Sequence, residues 1–389
     1  MKKIIFIFLL IMISIFTTSC KGTKVELNNL AVAVAIGYDI TPEGKYMLTA
    51  QILNPQKDSS GGMMGKKAGS QQKATDVVVF NSIGDSISDC KGQLTIKLGK
   101  ELNYSHVSFI VVGKHLADSG IYTVLDAALR GYKMSPDTPL LVTKGDAFDI
   151  IRATSVQEKI PANELDNILS LQSSFGFTNT VSILDFVNSL SSKTASPVVG
   201  VVNLSEDNDA DETFEVVGTA VFKKDKLLGF MGMNETRGMQ WIKGKVKFGF
   251  ITTLSQDGAK ITFEIDRSSS KIKPSIKTDS YAMLITIKEE SVICEMTDEL
   301  DPMKTPEIMN RLNIRQDDAI SNEIKLAINA AQKKFDADIF GFGEIIHRDC
   351  PKEWTHIEGK WKDIFPDLNI KVTVSSSLKR PGYISKPMN

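Results

Sequence analysis

In residues 30–143 of the chain, apolar residues occur in short runs that alternate with helical stripes. Residues 30–39 and 46–53 are apolar and rich in β-forming side chains, and Thr41-Pro42-Glu43-Gly44 lies between them. Because that tetrapeptide has the composition of a turn, the pattern predicts a β-hairpin. The stretch 56–73 that follows contains glycine, serine and lysine without periodicity, so we expect a mobile loop there.

Strands and helices continue to alternate after this loop. Short apolar runs predict strands at 77–80, 106–113 and 139–143, and amphipathic spacing predicts helices at 82–94, 116–130, 147–153, 162–171 and 181–190. The apolar residues of 116–130 fall on one helical stripe: Leu116, Ile121, Val124, Leu125, Ala128 and Leu129. This mixture is typical of an α+β domain, which we expect to end near Lys193.

The second half has a different pattern, dominated by longer strands. The acidic run 205–212 separates the two halves and predicts a domain boundary. Strands are predicted at 214–222, 226–231, 246–254, 260–267, 280–289, 292–296 and 368–375. A short helix is predicted at 235–242 and a long one at 307–336, where Ile308, Leu312 and Ile320 share one face.

These elements predict an α+β fold of several domains, three in our division, with mostly antiparallel sheets. A chain of 389 residues is longer than a single hydrophobic core usually supports. The predicted division is 1–19 as a signal peptide, 20–195 as an N-terminal α+β domain, 196–275 as a strand-rich middle domain, and 276–389 as a C-terminal α+β domain with the long helix.

The first twenty residues have the pattern of a targeting segment. Lys2 and Lys3 precede the apolar run 4–16, which is shorter than the roughly 20 residues that a membrane-spanning helix needs. Ser19 and Cys20 follow, as in a lipoprotein processing site, although Thr17 stands where an aliphatic residue is usual. We therefore predict cleavage before Cys20 and diacylglycerol on its thiol, whose two acyl chains hold stably to a membrane. A plain secretory signal and an uncleaved anchor are the alternatives.

The charge of the chain narrows its possible partners, and its cysteine content indicates whether it forms disulfide bonds. The formal net charge is −1 and no basic block occurs, which argues against nucleic acid as a partner and against electrostatic docking on a membrane. The remaining cysteines are Cys90, Cys294 and Cys350. An odd, widely spaced set is no disulfide framework, so we expect three free, buried thiols.

The sequence contains no motif of a known catalytic or nucleotide site. HExxH, GxSxG, P-loop and CxxC patterns are absent. His347, Cys350 and His356 could supply zinc ligands, but their spacing matches no closed zinc module, and surface histidines beside a turn at Pro351 are the preferred interpretation. We therefore assign no catalytic, cofactor-binding or metal-binding residue.

Other chemistry-bearing residues also have structural explanations. Trp354 and Trp361 stand two helical turns apart, with Phe365 four residues further, which favours core packing over a ligand wall. The acidic run 205–212 lacks the pattern of a calcium loop and is interpreted as a solvated linker. His106 and His115 flank a predicted strand and are interpreted as core or rim residues.

Four blocks, in order along the chain, stand out as motifs. They are Leu27-Asn28-Asn29-Leu30 through Ile36-Gly37-Tyr38-Asp39 with 46–55; Gly120, Leu125-Asp126 and Arg130 within 106–130; 218–229 with Thr236-Arg237-Gly238 to Gly244; and 338–343 with Trp354, Trp361 and Ile364-Phe365-Pro366. In these blocks the chain resembles the Ger(x)C family, the lipoprotein C subunits of nutrient germinant receptors in spore-forming Firmicutes.

This resemblance implies a three-domain α+β body without enzymatic activity on the outer face of the inner spore membrane. It also implies assembly with a multi-spanning A subunit and a transporter-like B subunit. Contact with the germinant itself stays open, and the family's binding residues are not carried over.

Two other classes of protein stay open as alternatives. A solute-binding lipoprotein that delivers a nutrient to a transporter would have a hinged cleft between two similar α/β lobes, whereas the two halves of this chain differ in pattern. An exported hydrolase would need a nucleophile or metal ligands that converge in the fold.

Overall fold

A computed structural model describes residues 29–54, 76–131, 134–155, 157–206, 212–254, 258, 260–277, 280–296 and 305–380. The predicted signal peptide, Cys20 and the predicted loop 56–73 lie outside the described residues.

The described elements alternate between strands and helices in the first half, and longer strands appear in the second. In chain order, those up to residue 206 are β1 (Leu30–Ile40), β2 (Tyr46–Leu53), β3 (Val77–Gly84), α1 (Ile87–Leu98), β4 (Glu101–Asn103), β5 (Phe109–Val112), α2 (Lys114–Ser119), α3 (Tyr122–Arg130), β6 (Pro139–Val142), α4 (Ala147–Arg152), α5 (Pro161–Phe175), β7 (Val181–Ser182), α6 (Ile183–Ser191), β8 (Val198–Val201) and β9 (Asn203–Glu206). From residue 212 onward they are β10 (Glu212–Glu215), β11 (Thr219–Lys223), β12 (Lys226–Met231), α7 (Met233–Ile242), β13 (Phe250–Leu254), β14 (Lys260–Lys277), β15 (Ser280–Met296), α8 (Pro306–Asn329), α9 (Phe342–Asp349), α10 (Pro351–Ile357), α11 (Trp361–Ile364) and β16 (Asn369–Arg380).

The strands form one large sheet, one small sheet and one hairpin. The ten-stranded sheet has the order β12-β11-β8-β6-β5-β1-β2-β3, and β4 and β7 pair with β1 and β6. Its centre, from β8 to β1, is parallel, while both ends are antiparallel. The four-stranded sheet has the order β13-β14-β15-β16, and β9 pairs with β10 alone. The predicted α+β class and the predominance of antiparallel pairing are confirmed.

Helices cover both faces of the ten-stranded sheet. Buried residues of α1, α2, α3 and α6, such as Leu94 and Phe186, join one core cluster with Ile36 and Ile110 of the sheet. Residues of α4 and α5, such as Ile150, form a second cluster on the opposite face. Successive side chains of a strand point to opposite faces, so the fully apolar β5 and β6 supply both clusters.

The long helix α8 packs on the four-stranded sheet. Its buried residues Ile308, Leu312, Ile320 and Ile324 belong to one core cluster with Ile287 of β15. The apolar face predicted for 307–336 is therefore confirmed. The helix ends at Asn329 and continues as a π-helical turn, Ala330–Phe335, which ends at Asp336.

The predicted hairpin is confirmed, but the number of elements is wrong at three places. One of them is 280–296, where the two strands predicted at 280–289 and 292–296 are the single strand β15. Strands β1 and β2 pair antiparallel around a turn in which Gly44 has a φ of 80°. The single helix predicted at 116–130 is two helices, because Gly120 has a φ of 123° between α2 and α3. The single strand predicted at 214–222 is β10 and β11, separated at Gly218, whose φ is 104°.

The predicted domain boundaries do not follow the sheets. The boundary at 195/196 separates β8, β11 and β12 from the rest of the ten-stranded sheet, and the boundary at 275/276 falls inside β14. The acidic run is flanked by β9 and β10, which pair with each other, and residues 207–211 lie outside the described residues. The division into domains stays a prediction.

Candidate functional site

The Thr-Arg-Gly block of the sequence lies where α7 contacts α8. A Cβ at Gly238 would collide with the backbone carbonyl of Glu323, so only glycine allows the two helices to approach this closely. Arg237 Nη1 lies 3.2 Å from Glu323 Oε1, and Trp241 Nε1 donates to Glu323 Oε2 at 2.7 Å. The block therefore joins α7 to α8 through a largely buried ion pair.

Arg237 also connects this junction to the first half of the chain. Its Nη2 donates to the carbonyl of Phe250 at 2.9 Å, and its guanidinium lies 5.3 Å from the ring centroid of Phe177. Burial raises the pKa of the Glu323 carboxyl, and the positive charge of Arg237 opposes that rise. A buried pair of this kind makes removal of either partner costly, because the remaining charge stays buried without compensation.

Two buried aspartates in other blocks of the sequence accept hydrogen bonds at the N-termini of helices. Asp39, at the end of β1, accepts from the backbone N–H groups of Ala147 at 2.7 Å and Phe148 at 2.9 Å, at the start of α4. Asp338 accepts in the same way from Phe342 at 3.0 Å and Gly343 at 2.9 Å, at the start of α9. Burial raises the pKa of each carboxyl to about 6, against the opposing effect of these N–H groups.

Asp338, which caps α9, also connects the two halves of the chain. The carbonyl of Asp338 accepts from the N–H of Ser196 at 2.9 Å, and Ala195 forms a β-bridge with Asp338. A Cβ at Gly343 would lie 2.6 Å from the side chain of Thr194, so the glycine allows this contact. The Asp338–Gly343 block is thus a contact between halves.

A cleft of about 910 Å³ opens beside this contact, lined by residues from both halves. Its apolar wall comprises Leu125 and Leu129 of α3, Val187 and Leu190 of α6, and Trp361 and Phe365 near α11. Charged residues from 193, 223–225, 336–338 and 358–362 surround that wall. The volume and the mixture of apolar wall with a few polar groups are those of a ligand-sized site.

The tryptophan pair belongs to the core, as the sequence predicted. Trp354 and Trp361 are buried, with ring centroids 5.6 Å apart, and Trp361 lies 6.0 Å from Phe365. Trp361 also lines the cleft. Its indole N–H is buried and has no acceptor among the residues that the structure describes.

The histidines lie at the surface. His347, His356, His106 and His115 are exposed, in agreement with the surface interpretation of the first two and with a rim position for the others. Within the described ranges, no group of three or more histidine, cysteine or acidic side chains is placed to hold a metal ion.

The cysteines depart from the prediction in one respect. Cys90, Cys294 and Cys350 are free thiols. Cys90 is buried and Cys350 is partly buried, but Cys294 is exposed, because it lies at an outward position of β15 next to the buried Ile293. The expectation of three buried thiols is therefore wrong for Cys294.

Over the part of the chain that the structure describes, no helix combines the length and apolar character needed to cross a bilayer.

Comparison with known proteins finds similarity over nearly the whole chain. The family described as "Spore germination protein N-terminal domain" matches residues 23–204, and the one described as "Spore germination B3/ GerAC like, C-terminal" matches residues 217–382. Spore germination protein KC of Bacillus subtilis (strain 168) is 25% identical, covering 97% of this chain and 96% of that protein. Spore germination protein B3 of the same organism is 22% identical, covering 93% and 94%.

A solved structure has the same fold. The crystal structure of the GerBC protein aligns with a TM-score of 0.57 and 21% identity, covering 88% of this chain and 96% of that one. Each half of the chain is therefore similar to a germination protein in sequence, and the whole is similar to one in fold.

Proposed function

We propose that this chain, which belongs to the GerAC-type family of spore germination proteins, is the lipid-anchored C subunit of a nutrient germinant receptor. The observation that carries the proposal is the match of both family segments, in order, along a chain that also aligns end to end with the curated relatives. The proposed location is the outer face of the inner spore membrane, and the proposed partners are the membrane-embedded A and B subunits.

The proposed mechanism depends on the tether at Cys20. Diacylglycerol on that thiol would supply two acyl chains, which hold a protein stably to a bilayer where a single chain holds it only marginally. A folded body confined to the membrane surface meets membrane-embedded partners at a raised effective concentration, so weak interfaces suffice for assembly.

The solute-binding alternative is less well supported by the architecture. A hinged binding protein would close two similar lobes over its ligand. Here the cleft lies between a ten-stranded sheet with helices on both faces and a smaller region built on a four-stranded sheet. In addition, the curated relatives are named as germination proteins.

Replacement of Cys20 by alanine tests the tether directly. We expect the Cys20→Ala chain to leave the membrane fraction of the spore and nutrient-triggered germination to fall, because no acyl chain can then be attached. The matched control is Cys294→Ala, which removes an exposed thiol of the folded body and should change neither quantity. Membrane retention and germination at the wild-type level in the Cys20→Ala strain would contradict the proposal.

A further inference from the structure

The charged side chains that line the cleft differ in whether they have a partner within the chain. Each carboxylate that lines it has a partner within the chain. These are Asp126 with Arg130 at 2.8 Å, Glu358 with Lys193 at 2.6 Å, Asp336 with Lys223 at 4.0 Å, Asp225 with the N–H of Tyr122 at 3.3 Å, and Asp338 with the N–H groups that it caps.

Two lysines that line the cleft have no such partner. Lys224, at the β11–β12 turn, and Lys362, in α11, make no ion pair with any residue in the described ranges. Two ammonium groups that lack an acidic partner among the described residues therefore line the cleft, one from the β11–β12 turn and one from α11. An acidic group brought by a ligand would form charge-assisted hydrogen bonds there, the stronger class of such bonds.

The apolar wall of the cleft favours contact with an apolar part of a ligand. Leu129 is 39% exposed and Tyr122 is 65% exposed, although both residues are large, and both line the cleft together with the buried Leu125. Covering these side chains with an apolar ligand would remove them from water, which is favourable in proportion to the area covered.

The backbone at the cleft is also unusual. Among the described residues, the non-glycine positions with positive φ are Lys224, at 56°, and Asp336, at 48°, and both line the cleft. Such conformations are sparsely populated for residues with a side chain and persist only where the surroundings hold them. They place Lys224 in the tight turn between β11 and β12, and Asp336 at the end of the π-helical turn.

From these observations we propose that the cleft binds a small organic anion with an apolar body, whose acidic group pairs with Lys224 and Lys362 while its body covers the wall of Leu129 and Tyr122. Residues of both family segments contact such a ligand, so its binding also stabilises the junction between them, as any ligand of the folded state alone does. The proposal does not depend on the lipid tether or on germination.

Calorimetry with a matched pair of probes tests the proposal. The protein is the mature chain with Cys20→Ser, and the probes are 4-phenylbutyrate and its uncharged amide, which share one apolar body. We expect saturable binding of the carboxylate and affinity about tenfold lower for the amide, as one charge-assisted contact implies. The double variant Lys224→Ala/Lys362→Ala should bind the carboxylate about tenfold more weakly and the amide unchanged.

Two further variants control for general effects of charge and of wall shape. Lys273→Ala/Lys371→Ala removes two exposed lysines of the four-stranded sheet and should leave both affinities unchanged. Leu129→Glu places a carboxylate in the wall and should weaken binding of 4-phenylbutyrate more than Leu129→Gln does. Equal binding of acid and amide, equal effects of the two double variants, or no saturable binding below about 1 mM would each overturn the proposal.

Discussion

At the scale of single residues, Glu289 is an unusual group because it is a carboxyl inside the core of the four-stranded sheet. It is 1% exposed, and its Oε2 accepts from Nε2 of Gln316 on α8 at 3.0 Å. Its Oε1 has no donor among the residues that the structure describes. Burial raises the pKa of this carboxyl to about 8, so at neutral pH the side chain is mostly protonated and uncharged.

The pH dependence of stability follows from this pKa. A folded-state pKa above the unfolded value of 4.5 means that the contribution of Glu289 to stability is complete below pH 4.5 and is lost as the pH rises through 8. We expect the free energy of unfolding to fall between pH 5 and pH 9, and to fall by about 4 kcal/mol less in Glu289→Gln. Urea unfolding at both pH values measures the difference.

The matched control is Glu295→Gln, an exposed carboxylate on the same strand. Its pH profile should follow that of the wild type. A Glu289→Gln profile parallel to the wild type would show that the carboxyl titrates normally and would contradict the prediction.

Glu289 also shows what the sequence could and could not reveal about individual residues. The buried positions of β15 alternate from Met283 through Ile285 and Ile287 to Glu289, Ser291 and Ile293. The sequence pattern predicted a strand ending at 289 and a new one at 292, because inward polar residues there interrupt the apolar alternation. The partner that allows Glu289 to be buried is Gln316, which comes from a distant helix and leaves no local signal.

At the scale of elements, the contact of α7 with α8 depends on the absence of a side chain at Gly238. Gly238→Ala would place a methyl group against the carbonyl of Glu323, so the helices must separate and the bonds from Arg237 and Trp241 to Glu323 lengthen. We expect a loss of about 3 kcal/mol in the free energy of unfolding, combining overpacking with a weakened buried ion pair. Chemical denaturation measures it.

Gly92→Ala is the control for the element-scale prediction. Gly92 is an exposed glycine inside α1, with no neighbour in reach of an added Cβ. Alanine there should stabilise the protein by about 0.5–1 kcal/mol, because glycine is unfavourable within a helix. Equal effects of the two substitutions would contradict the close helix contact.

The positions of most elements were predictable, and two of the wrong assignments share a cause. Hydrophobic periodicity located β1, β2 and β6 to within a few residues, and it located α8 together with the π-helical turn that follows it. The errors at 116–130 and 214–222 both lie at a glycine in an otherwise regular pattern, Gly120 and Gly218, each with positive φ. An isolated glycine is a signal for a break, but its conformation is set by contacts that sequence does not show, such as Asp225 beside Gly120.

At the scale of the whole molecule, the two family segments share one sheet. The segment 23–204 supplies β1 to β8, and the segment 217–382 completes the sheet with β11 and β12. A fragment ending at residue 204 leaves the fully buried strand β8 as an open, apolar edge. We expect that fragment to aggregate on expression, while the mature chain unfolds in a single calorimetric transition.

Fragment 21–244 is the comparison for this prediction. It restores β11 and β12 and should be more soluble, although it lacks the α8 partner of Arg237. A soluble, cooperatively folded 21–204 fragment would contradict the interdependence of the two segments.

The family could be identified from ordered sequence blocks, whereas the domain limits could not. The acidic run 205–212 has the composition of a linker, but the chain returns from it to the same sheet, where β11 pairs with β8. Strand pairing between distant segments depends on the register and burial of both strands. The amino-acid composition of a segment determines neither of these.

The return of β11 and β12 to the first sheet has a consequence for the order of events during synthesis. A chain that emerges from its N-terminus exposes β8 before the strand that covers it exists, and the gap closes only after Thr219 to Met231 have followed. Until then the nascent sheet offers an unpaired apolar edge to any neighbouring chain. The time between the synthesis of β8 and that of β12 is thus the stage at which the nascent chain is most prone to aggregate. A chaperone or a membrane surface that covers the edge of β8 protects the chain most at this stage.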